Sequence, residues 1–240
     1  MTVSQQPPRL RLRREHLPFL VAGVVLIALA LAFPAIGGPG LLALAVAFGL
    51  WSRWRDQQRS GRLREFAAEH GWTFKDRDDG VLARWSSPAL TVGRNRRAEN
   101  VVTGWTGGHS VLACDYHATV DAMGRPTPLR YAVVATTLGY APLPQLGVSP
   151  APQADPHVGP QQFEQAFTVS YADPRFAAAV LTPAVKQLLL DQGRDVSWQV
   201  DRTDLVAWRN GRHDPAKLEA QALFLARLAD VVSAAAAGSH

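Results

Sequence analysis

Glu99–Val120 reads ENVVTGWTGGHSVLACDYHATV, and the fold class turns on it. Two runs in which apolar and polar residues alternate flank TGGH, and alternation at period two is the mark of a half-buried strand. Gly107-Gly108 suits a two-residue hairpin turn, because both positions accept positive φ. Closing the hairpin there puts Trp105 opposite Ser110, Val101 opposite Cys114 and Asn100 opposite Asp115. Working outward, LRYAVVATTLG is rich in β-branched residues and apolar for most of its length, as a central strand is. VSWQV and LVAWRNG, joined by DRTD, form a second strand pair. WTFK and ALTVG are further strand candidates. QLGVS reads as a short edge strand, PAPQADPHVGPQQ as an exposed loop, and EQAFTVSYA resumes the alternation. Few connections are long enough for parallel crossovers, so the sequence predicts an α+β fold with a mainly antiparallel sheet packed with helices.

Three helices announce themselves by one device. Asp173-Pro174, Thr182-Pro183 and Asp214-Pro215 each set a capping side chain before a proline suited to the first helical position. They open RFAAAVL, then AVKQLLLDQ ending at Gly193, then AKLEAQALFLARLADVVSAAA. In the last, Leu218, Ala222, Leu225, Ala229 and Val232 mark one apolar stripe.

Charge divides the chain unevenly. Residues 1–64 hold nine arginines against Glu15 and Asp56, whereas the remainder is slightly acidic. A nucleic-acid partner would need a basic face on the folded domain, so none is expected. Basic flanks instead surround two apolar runs: RLRLRREH precedes LPFLVAGVVLIALALAF (17–33), and SRWRDQQRSGRLR follows LLALAVAFGLW (41–51). The intervening FPAIGGPGLL is uncharged and rich in glycine and proline. Positive residues stay on the cytoplasmic side, so this pattern predicts a transmembrane hairpin with both termini inside. A secretory signal cleaved near Ala30-Leu31-Ala32 is the rival reading, but it leaves the second apolar run at the start of the mature chain unexplained. The predicted organisation is a basic tail (1–16), two transmembrane helices (17–54) with an external turn at 34–40, an amphipathic juxtamembrane helix (55–71) and a cytoplasmic domain (72–237). Leu63, Phe66 and Ala67 share a face of that helix and are expected to pack on the domain. The predicted location is the cell membrane, the predicted partner a bilayer with an anionic inner leaflet, together with an unidentified protein. The basic collar of Arg53, Arg55, Arg59, Arg62 and Arg64 is the candidate lipid-headgroup contact.

Chemistry is sparse. The sequence lacks GxxxxGK[ST], GxGxxG, HExxH, CxxC and GxSxG, so no cofactor, metal or catalytic residue is assigned. The lone Cys114 has Leu112, Tyr116 and Val101 as expected neighbours and reads as an inert thiol. Asp115 and His117 share a strand face with His109, but the two histidines, eight residues apart, are about 26 Å from one another and cannot share an ion. GRNRRAEN gathers Arg94, Arg96 and Arg97 in a predicted loop that is a candidate anion site. Trp72, Trp85, Trp105, Trp198 and Trp208 read as core or sheet-face packing. The double apolar run together with FAAEHGWTF, ADPRFAAAVLTP and DLVAWRNGRHDP resembles a set of two-span membrane proteins of high-GC bacteria, and is distantly similar to a bacterial membrane family known only as a domain of unknown function. That resemblance implies an architecture and brings no site with it. The expectation is a membrane-anchored, non-enzymatic protein whose domain serves interaction or sensing. The alternative is a tethered enzyme acting on an anionic lipid or nucleotide through Asp115, His117 and the Arg94/Arg96/Arg97 cluster.

Overall fold

The computed structural model describes residues 37–139, 142–151 and 163–237. The first predicted span and residues 34–36 of the turn lie outside them, as does most of the proline-rich loop. The described chain forms two compact units, meeting between Gln57 and Gln58. One helix, α1 (Gly37–Glu69), runs through both, so the predicted second span and juxtamembrane helix are one continuous element. It begins at Gly37, with Pro39 in the first turn, where a missing N–H costs nothing. Gly37–Gly40 therefore belong to the helix and not to the external turn drawn at 34–40.

The second unit is built on eight strands: β1 (Thr73–Arg77), β2 (Arg94–Thr106), β3 (His109–Ala122), β4 (Arg125–Thr137), β5 (Leu146–Pro150), β6 (Phe167–Tyr171), β7 (Ser197–Asp201) and β8 (Asp204–Asn210). They form one sheet in the order β1-β2-β3-β4-β8-β7-β5-β6. Its strand pairs are antiparallel, as predicted. QLGVS is β5, but it pairs with both β6 and β7 and is no edge. ALTVG is not a strand: Pro88–Thr91 is a single helical turn, α2, with Pro88 suited to its first position, although the Ser87 hydroxyl donates to Gln199 and does not cap it. The remaining helices are α3 (Phe163–Ala166), α4 (Pro174–Val180), α5 (Pro183–Gln192) and α6 (Pro215–Ala237). The predicted caps operate: Asp173 accepts from Arg175 N and Phe176 N, Thr182 from Val185 N, and Asp214 from Ala216 N.

The sheet has a core on each face. On the larger, Val102, Val111, Ala113, Val134, Ala207 and Trp198 meet Leu63 and Ala67 of α1 and the α6 stripe Leu218, Ala222, Leu225, Ala229 and Val232. Among the described residues α6 is the one helix long and apolar enough to cross a membrane. Its stripe is fully buried in the domain, which is the use those residues serve here. On the smaller core, Leu112, Cys114, Tyr116, Val133 and Val206 meet Leu82, Trp85 and Leu90 from a 3₁₀ turn (Asp79–Arg84) and α2. Two buried carboxylates fasten that covering segment. Asp201 accepts from Ser86 N, Ser86 Oγ and Ser87 N, and Asp204 from Arg84 and from Trp85 Nε1.

The β2–β3 hairpin turns at Gly107-Gly108 with Trp105 opposite Ser110, as its sequence predicts. The register then slips. Val102 faces Ala113 but Glu99 faces Asp115, so Asn100 and Val101 together oppose Cys114. Asn100 takes φ 50°, a left-handed conformation that asparagine tolerates better than most residues. A second irregularity follows between Arg94 and Arg97, with Asn95 at φ 54°. Hence GRNRRAEN is the bulged start of β2 and not a loop.

Candidate functional site

Asp115 lies on β3, on the helix-bearing face, and its side chain is fully buried. A buried carboxylate survives only when paired and hydrogen-bonded. Arg59 Nη1 of α1 reaches Oδ2 at 2.7 Å, and Asn100 Nδ2 donates to the same oxygen at 2.9 Å. The backbone N–H of His213 donates to Oδ1 at 2.8 Å. Arg59 also donates to the His213 carbonyl at 3.3 Å, so one guanidinium ties β3 to the start of α6. The β2 bulge is what aims Asn100 inward, a use bulges often serve.

Burial opposes the charged form of Asp115, but the positive partners and the N–H donors outweigh it and hold its pKa below the ordinary value. The permanent charge among those partners is Arg59. His213 is itself fully buried, and burial pushes its pKa below the usual histidine value despite the pull of Asp115. Its bonding fits the neutral ring: Nε2 donates to the Val133 carbonyl at 3.0 Å. With the Gln221 amide oriented as its neighbours require, oxygen toward Arg209, it donates to Nδ1 at 3.3 Å and accepts from Arg209 at 3.2 and 2.6 Å. The chain of contacts therefore runs from Arg59 through Asp115, His213 and Gln221 to Arg209 on β8.

Beside Arg209 the surface opens into a cleft of about 350 Å³ between the end of α5, the residues leading into β7, and the first half of α6. Lys217, Gln221 and Phe224 form one wall, and Asp195 and Val196 the other.

The residues singled out from sequence do not assemble. Arg53, Arg55 and Arg62 are exposed, and Arg55 stacks over Trp51. Arg64 pairs with Asp76 and lies over Phe74. Arg59 departs from the collar: it turns inward to Asp115 and is withdrawn from any headgroup. Arg94 meets Asp121 at 3.3 Å, Arg96 donates to the Leu90 carbonyl, and Arg97 stands 3.7 Å from Glu99. His117 shares the Asp115 face and lies 3.4 Å from Glu99; burial pushes its pKa down. His109 contacts Asp230 of α6. Cys114 is enclosed among Leu112, Tyr116 and Val101, and burial pushes its thiol pKa well up, away from the reactive form. Trp85 and Trp198 are core residues, but Trp105 is 72% exposed. Among the described residues no group of three or more His, Cys, Asp or Glu is placed to hold a metal ion.

The sequence reading passed over His213, Gln221 and Arg209; it set Asn100 opposite Asp115 but gave it no role, and the two do meet, although the register slips between them. Arg59 carried a usable signal, since it precedes Leu63 and Ala67 by four and eight residues and so belongs to their buried stripe.

No family model matches the chain, and no curated protein matches it. Among solved structures the chain is similar to the crystal structure of the mycobacterial trehalose monomycolate transport factor A, TtfA, with a TM-score of 0.55. The match covers 72% of this chain and 93% of that one at 14% identity, a likeness of fold.

Proposed function

We propose that this chain is a membrane-anchored accessory protein. Two N-terminal apolar segments hold its α+β domain at the inner leaflet with both termini cytoplasmic, and the domain acts by binding in the handling of lipid and not by catalysis. The second segment lies in α1, which can cross only where the bilayer thins to meet it. The observation that carries the reading is the surface of α1. Phe48, Leu50 and Trp54 are 57%, 64% and 53% exposed, an apolar surface that water disfavours and a bilayer accepts. Exposed Arg53 and Arg55 flank Trp54 and exposed Arg62 lies two turns further on, and tryptophan beside arginine is the composition of a lipid–water boundary. The fold shared with a mycobacterial transport factor supports the lipid part of the reading. The buried state of Asp115, whose oxygens are occupied by Arg59, Asn100 and His213, favours binding over an acid–base role for that residue.

The test uses the full chain reconstituted into vesicles of phosphatidylcholine, with or without phosphatidylglycerol, and digested briefly with trypsin. Slower cleavage after Arg53, Arg55 and Arg62 in the anionic vesicles is expected. Equal cleavage in both would overturn contact with an anionic leaflet. Release of the chain from bacterial membranes by alkaline carbonate would overturn the anchor itself.

A further inference from the structure

The geometry points to the cleft beside Arg209 as a binding site for a single-chain anionic amphiphile, its phosphate or carboxylate held by Arg209 and Lys217 and its chain laid against Phe224 and Val196. The proposal deepens the accessory reading and rests on it for the ligand being a lipid.

Three features of the cleft carry it. The first is the guanidinium of Arg209, which is only 20% exposed and whose plane is fixed by the Gln221 oxygen. Gln221 takes two of the five N–H donors an arginine presents in a rigid fork. The nearest carboxylate, Asp195, stands 3.9 Å away, beyond hydrogen-bond reach, and is itself 69% exposed. A planar cation held in this way suits a bidentate oxyanion. The second is charge: Lys217 adds another positive group to the lining, against Asp195 alone. The third is an apolar interior. A narrower slot of about 30 Å³ shares Val196, Arg209, Gln221 and Phe224 with the cleft and reaches Ala132, Val134 and Ala207 on the sheet. Small side chains there leave room that larger ones would fill.

Size decides what fits. A volume of about 350 Å³ lies at the lower end of the ~300–1,000 Å³ typical of small-molecule sites. It takes a headgroup and part of one chain, not a whole two-chain lipid. Gln221 also links the cleft to the buried network through His213, so the wall that orients Arg209 is braced from behind.

The experiment titrates octyl phosphate into the full chain in phosphatidylcholine discs, with empty discs subtracted, and repeats it with octanol and with inorganic phosphate. Saturable binding of one octyl phosphate per chain is expected, with octanol and inorganic phosphate each at least about tenfold weaker. Lys217→Gln should weaken binding by about tenfold, the loss of one charge-assisted contact. Ala220→Trp, at an exposed lining position, should abolish it without touching the buried network. Equal binding of octanol would overturn the role of the cations. Equal binding of inorganic phosphate would make this a plain anion site and overturn the amphiphile. Wild-type affinity in both variants would place any binding elsewhere and overturn the site. If the cleft proves empty while trypsin protection in anionic vesicles holds, this proposal falls and the membrane reading stands. The reverse pattern separates them the other way.

Discussion

Arg59 and Asp115 show how much a single buried pair can decide. Removing one partner of such a pair leaves an uncompensated charge in a poor solvent, whereas removing both can be nearly neutral. Arg59→Met should therefore cost about 3–5 kcal/mol, and Arg59→Met with Asp115→Leu should recover part of that loss, the remainder being the His213 N–H and the Asn100 amide left without an acceptor. Urea unfolding of the disc-embedded chain, followed by tryptophan fluorescence, measures both; additive losses would mean that the pair is not coupled. His213 gives the same region a pH dependence. Its folded pKa lies below the unfolded value near 6.5, so the unfolded state binds the extra proton. The stability it contributes is complete above about pH 6.5 and is lost as pH falls toward the folded pKa. His117 is shifted the same way and adds to the slope. Each contributes up to ~1.4 kcal/mol per pH unit in that window. The urea midpoint of the wild type should fall between about pH 6.5 and pH 5, and His213→Gln should reduce the slope without removing it. An unchanged slope in the variant would mean that His213 binds its proton equally in the folded and unfolded states, and a steeper one that it is charged in the fold.

At the scale of elements, local signals read well where one physical rule acts alone. The proline-primed caps, the α6 stripe and the Gly107-Gly108 turn were legible because each depends on a few adjacent residues. The slip at Asn100 was not, because a bulge is chosen by what the strand must aim at, here Asp115, and period-two alternation cannot show that. ALTVG misled for a related reason: it was a strand candidate, but Pro88 at the first helical position and the packing of Leu90 with Tyr116 and Leu112 made it a helical turn. The covering segment hangs on Asp201. Asp201→Ala should strand the Ser86 and Ser87 N–H groups and cost about 3 kcal/mol, whereas Asp201→Asn, which keeps an acceptor, should cost less. A close approach makes a second element-level test. A Cβ on Gly104 would lie 2.1 Å from the Trp72 ring, so the indole that joins α1 to the sheet would have to move. Gly104→Ala should destabilise by about 1–3 kcal/mol, the usual cost of overpacking. A gain in urea midpoint from either variant would contradict the packing described.

On the scale of the whole molecule, the sheet and its helices were recoverable from sequence because burial writes a period into it. The network from Arg59 to Arg209 was not, since its members come from α1, β2, β3, β8, the β8–α6 connection and α6, and meet only after folding. The proposed membrane anchor makes its own prediction at this scale. The apolar part of α1, Gly37–Trp51, has fifteen residues and spans about 22 Å as a helix. The hydrocarbon core is about 30 Å thick. Crossing then requires local thinning and arginines 53 and 55 extended toward the headgroups, a modest cost for a short span. The alternative, a segment lying in the interface, would leave a single span at residues 17–33 and put the domain on the opposite side from the N-terminus. The two arrangements differ in one observable. With a C-terminal reporter active only in the cytoplasm and a second active only outside it, the hairpin predicts the first signal alone. Basic residues flanking both apolar runs in the sequence are the signal on which that prediction rests. An external signal, with the full-length chain in the membrane fraction, would mean that α1 does not cross and that the lipid surface the domain meets is the outer leaflet.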